Sequence, residues 1–82
     1  MEIFHSNRQA IITKYIGPAA VRGSRVKATS ASGISIMHNI DHALSSEQNH
    51  AEAAKKLALK LGWTGRMAGG GLKSGYAFVF VD

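Results

Sequence analysis

Only one stretch of this chain carries a helical period. From Ser45 to Leu61 the apolar residues Ala51, Ala54, Leu57, Ala58 and Leu61 fall on one stripe, whereas on both sides of it apolar residues alternate or gather in short runs. A helix with a single apolar stripe must bury it, and strands supply the only other surface this sequence offers. Ser45 with Gln48 three positions on forms a capping box, and Glu47 places an acid in the first turn. Gly62 ends the helix. Glu52 and Lys56 are spaced as an i,i+4 pair on the outer face, beside Lys55 and Lys60. Leu59 falls among them as an exposed leucine and, with Lys55 and Lys56, is a candidate partner contact.

The flanking runs read as strands. "QAIITKYIG", Gln9 to Gly17, is rich in β-branched residues and stops at Gly17-Pro18. "SRVKATS", Ser24 to Ser30, alternates, with Val26 and Ala28 on one face and Arg25, Lys27 and Thr29 on the other. "GISIMHNI", Gly33 to Ile40, sets Ile34, Ile36 and Ile40 together, and Ala31-Ser32-Gly33 joins it to the preceding strand as a hairpin. After the helix, Arg66 to Gly70 reads as a strand, Leu72 to Gly75 as a turn that leads into a bulge at its glycine, and Tyr76 to Val81 as the last strand. The expected fold is α+β, in the order β-β-β-α-β-β: one domain over residues 1–82, with an antiparallel or mixed sheet packed on a single helix.

Ten Lys and Arg stand against five Asp and Glu, a formal net charge of +5. The excess is concentrated: from Asn7 to Ile40 there is no acid. Such a chain is drawn to nucleic acid or to acidic protein surfaces. With no cysteine, disulfides and thiolate chemistry are excluded, and stability rests on packing or on a homodimer. No apolar run is long enough to span a bilayer, and "MEIFHSNRQA" lacks the layout of an export signal, so a cytoplasmic protein without a membrane partner is expected.

The basic residues with a geometric argument are those of "RGSRVK". Arg22 belongs to a loop, and Arg25 and Lys27 share a strand face about 6.5–7 Å apart. Guanidinium forks on a sheet suit phosphates or carboxylates. Lys14, Arg66 and Lys73 complete the candidate partner- or phosphate-binding set.

The end of the chain, "GYAFV", matches much of the strand on which RNA-recognition modules stack bases. Ser74 stands where that motif has a cation, and the chain lacks the helix and strand that follow it in those modules, so that fold is excluded. Tyr76, Phe78 and Phe80 still share one strand face. They form a stacking platform if that face is open, and the core against the helix if it is not; burial of large rings favours the core.

Catalytic machinery is sparse. In "HNIDH", His38 and His42 flank Asp41, but the pair straddles a strand end and only His50 could add a third ligand, so neither a metal nor a cofactor is expected. "GGGLKS" lacks the lysine placement and following helix of a phosphate-cradling loop. Ser and His occur without a convincing third partner, which leaves a His-assisted hydrolase as a remote alternative to a protein that is not an enzyme.

"IITKY" (Ile11 to Tyr15), "RGSRVKA" (Arg22 to Ala28), "DHALS" (Asp41 to Ser45), "KLGW" (Lys60 to Trp63), "GGG" (Gly69 to Gly71) and "GYAFVF" (Gly75 to Phe80) together resemble a family of short open reading frames of phages, prophages and plasmids. The resemblance implies a setting, a mobile element inside a bacterial cell, and no catalytic residue. By analogy of size and context, it implies an interaction protein that blocks a host defence nucleoprotein complex, such as a CRISPR effector, through a basic sheet surface. The alternative is a module that binds nucleic acid directly.

Overall fold

The computed structural model describes residues 1–81. Strands β1 (Ile11–Ile16), β2 (Arg25–Ser30) and β3 (Ser35–Asn39) precede helix α1 (Ser46–Lys60), and β4 (Met67–Leu72) and β5 (Gly75–Phe80) follow it. All five strands form one sheet in the order β3-β2-β1-β5-β4, and every pairing is antiparallel. The expected order is therefore observed. The open choice between antiparallel and mixed falls to antiparallel, because β5 returns beside β1 at the centre.

Local chemistry explains the boundaries. Ser45 caps α1: its Oγ accepts from the Gln48 N–H at 3.1 Å while Gln48 Oε1 accepts from the Ser45 N–H at 2.9 Å, so both arms of the box are closed. Gly62 adopts a φ of 72°, a left-handed conformation that lets the chain leave the helix. Ser30 closes the β2–β3 hairpin, its N–H donating to Ile34 O and its carbonyl accepting from Gly33 N–H.

The core lies between α1 and the inner sheet face, where Ile11, Val26 and Leu57 are completely buried together with Ala28, Ala53, Ala54 and Ala58. Each of the three large side chains contributes about 1.5–3 kcal/mol by leaving water. The helical stripe is rotated slightly from expectation, since Ala53 is buried and Ala51 is exposed. Alanines at 51, 53, 54 and 58 carry too little contrast to fix the phase.

One turn and one strand differ from expectation. The β4–β5 turn holds only Lys73 and Ser74, and Gly75 pairs with Leu72 inside the ladder without a positive φ. Its glycine serves a close approach instead of a bulge: a Cβ there would run into the Thr13 carbonyl of β1. Ile34 precedes β3 and is exposed, and the buried position within β3 is taken by His38.

Polar groups complete the layer contact. His38 Nε2 lies 3.1 Å from Asn49 Oδ1, and its Nδ1 lies 2.7 Å from Lys56 Nζ. An ammonium only donates, so Nδ1 accepts and Nε2 carries the proton given to Asn49. Lys56 thus reaches His38 on the sheet, although its spacing suggested an outward pairing with Glu52. Asn49 also accepts from the Asp41 N–H and donates to the carbonyls of Asp41 and Ser45, tying the β3–α1 connection to the helix. His50 meets Thr13 Oγ1 at 2.7 Å, with the Tyr76 ring 4.8 Å away. Burial pushes the His50 pKa below its ordinary value of 6.5.

Candidate binding surface

Because α1 covers only one face of the sheet, strand parity decides which side chains face outward on the other. On β1 these are Ile12, Lys14 and Ile16; on β2, Arg25, Lys27 and Thr29; on β3, Ser35, Met37 and Asn39. The register sets Lys14 directly opposite Lys27, and Lys27 opposite Met37. Arg25 stands between Ile16 and Asn39. Three cations therefore share one corner of the open face.

Loops add to the same end of the sheet. Arg22 closes the turn between β1 and β2, where it exchanges backbone hydrogen bonds with Ala19, and Val21 projects from the tip. Lys73 occupies the β4–β5 turn, next to Gly75, which is the neighbour of Lys14 across the β1–β5 ladder.

The electrostatics of this corner are one-sided. Among the described residues no strand carries an acid; Glu2 precedes the sheet, Asp41 lies in the β3–α1 loop, and Glu47 and Glu52 are on the helix. Among the described residues none of Lys14, Arg22, Arg25, Lys27 and Lys73 has an ion-pair or side-chain hydrogen-bond partner. The Nε of Arg25 is covered yet makes no hydrogen bond. Like charges directly opposite in a ladder are unfavourable, so Lys14 against Lys27 weakens the sheet it belongs to.

Apolar side chains border the cations on the open face: Ile12, Met37 and Leu72 are each between 46% and 51% exposed, and Val79 and Val81 continue the apolar surface toward the other end of β5. This surface combines charge with a greasy margin, as partner-binding faces do.

The remaining residues singled out in the sequence lie elsewhere. Arg66 precedes β4 at the other end of the sheet, its carbonyl accepting from Val81 N–H, so it does not join the corner. Lys55, Lys56 and Leu59 are on the helix layer, where Leu59 is 65% exposed as its phase implied. Phe78 and Phe80 are buried on the helix side and Tyr76 is half-buried there, which removes the stacking platform and places the rings in or beside the core. His38 and His50 are held inside by Asn49 and Thr13, and His42 lies apart from them in the loop beside Arg22, in a shallow hollow. Lys14 is the residue whose place in the corner depends most on pairing: its own strand gives its face, and only the register shows which cation it opposes.

No family profile matches the chain, and no curated protein and no solved structure is significantly similar to it. Among the described residues no helix is long and apolar enough to cross a membrane.

Proposed function

We propose that this is a small interaction protein of a phage or plasmid that acts in the bacterial cytoplasm, by laying its open sheet face on an acidic protein surface of a host nucleoprotein complex, a CRISPR effector being the leading candidate. The observation that carries the proposal is the corner of Lys14, Lys27 and Arg25, which among the described residues is unpaired and opposed by no acid on any strand. A like-charge pair kept at a cost to the sheet is explained by a partner that neutralises it.

The apolar border favours a protein contact over direct binding of a phosphate backbone, since exposed Ile12, Met37 and Leu72 have nothing to gain from phosphates. The burial of Phe78 and Phe80 points the same way, because sequence-tolerant binding of single strands relies on exposed rings. Capture from a bacterial lysate with and without nuclease treatment tests the proposal. The expected outcome is a protein complex retained after nuclease digestion; nucleic acid bound alone, with retention abolished by nuclease and a steep salt dependence, would establish the direct-binding alternative instead.

A further inference from the structure

The helix does not cover the whole inner face. It packs on β1, β2 and β3 and only skirts β5, which leaves an apolar groove beside its outer flank. Ala51, Ala54, Ala58 and Leu59 form one wall, and Trp63 and Phe78 line it from below, around about 380 Å³ of open space. That volume falls in the range of about 300–1,000 Å³ that well-formed binding sites occupy.

The same chain carries an apolar segment with nothing to cover it. The arm before β1 holds Ile3 at 76% and Phe4 at 84% exposure, well away from the core. At its root, the Arg8 guanidinium lies over the Phe80 ring, 3.4 Å from the centroid, and against Gly65. Phe80 and Gly65 both belong to the groove's lining. Arg8 therefore seats the root of the arm beside one end of the groove, while Ile3 and Phe4 stay exposed outside it.

We infer that the groove receives the N-terminal arm of a second copy of this chain, in a two-fold dimer that exchanges arms. Ile3 and Phe4 supply the apolar side chains that the groove lacks. Charge fits as well: Glu2 is the one acid before Asp41, it lies on the arm, and Lys55 stands on the groove's rim. A buried aromatic contributes roughly 150–250 Å². Two arms and two groove linings together bring the total to the order of the 1,000 Å² that a specific interface needs. The exchange leaves both basic faces outward, so the dimer presents two of them.

Analytical ultracentrifugation of the full chain across a concentration series tests the exchange. The expected result is a species of twice 8.7 kDa for the wild type. Phe4→Asp should weaken self-association by roughly tenfold or more while the circular-dichroism melt stays unchanged, because an exposed arm residue plays no part in the protomer's core. Glu2→Lys and Lys55→Glu should each weaken the dimer, and the two together should restore it. A wild-type monomer at every concentration, a dimer untouched by Phe4→Asp, or failure of the charge swap to rescue would each overturn the inference. A monomer whose arm is protected from proteolysis would show the arm folded onto its own groove, which also overturns it.

Discussion

The two faces of the sheet are built from the same strands and obey opposite rules. On the inner face every buried polar side chain among the described residues finds a partner: Thr13 meets His50, and His38 meets both Asn49 and Lys56. On the outer face, one residue along the same strands, Lys14 and Lys27 confront each other and find none. A strand's period of two separates these environments by a single position. The inner face is organised for stability, and the outer one tolerates an electrostatic cost that the fold does not require. Such a division is expected when one face of a two-layer domain is reserved for a partner.

The largest effect that would break this contrast lies at the layer contact. Leu57→Ala should destabilise by about 2–4 kcal/mol, as for a fully buried leucine, whereas Leu59→Ala should stay within about 0.5 kcal/mol. Urea or thermal melts of the pair are sufficient, and equal losses would mean that the helix is not seated on the sheet as described.

Next is the seam between β1 and β5. Gly75→Ala pushes a methyl against the Thr13 carbonyl and should destabilise by about 1–3 kcal/mol, the range for overpacking. Gly70→Ala, where a Cβ meets open space, should be close to neutral. Denaturant midpoints that move together would show that the glycines act through chain flexibility alone.

The inner face should also respond to acid. The folded-state pKa of His50 lies below 6.5 because of burial, so the unfolded chain binds this proton more readily. The contribution of neutral His50 is complete above pH 6.5 and is lost as pH falls through that value toward the depressed folded pKa. Melting temperatures between pH 7.5 and 5 should fall for the wild type and fall less for His50→Gln. Parallel curves would remove His50 as the cause.

The smallest effect has the opposite sign. Lys14→Thr removes a like-charge pair on the open face and should stabilise by about 0.2–1 kcal/mol, more at low salt than at high. A loss of stability in both conditions would mean that the Lys14 stem is packed in the sheet and that the charge is incidental.

Much of this fold is legible in the sequence because it rests on local signals. The Ser45–Gln48 box, the glycine after the helix and the alternation of Val26 and Ala28 with Arg25 and Lys27 each act within a few residues, and each is found as expected. The departures come from long-range contacts. His50 is buried because Thr13, 37 positions away, offers its hydroxyl, and His38 because Asn49 and Lys56 lie above it. No local pattern announces those partners. Gly75 likewise reads as a turn residue until β1 is laid beside it, and Gly69 gains its meaning from the Phe78 ring that lies against it across the strands. The candidate surface divides in the same way: alternation gives the face of Arg25 and Lys27, but the register alone adds Lys14 directly opposite Lys27 and shows Arg66 to be at the far end.

Plasmid interference in bacteria with an active CRISPR system tests the proposed role of the open face most directly, with the wild-type protein compared against Arg25→Ala/Lys27→Ala. The double variant keeps the inner face intact and should melt like the wild type. Wild type should restore plasmid establishment, and the variant should lose that effect by roughly tenfold or more, as expected when two charged contacts of about 1–3 kcal/mol are removed. A folded variant that inhibits as well as the wild type would show that the basic corner is only a solvated surface.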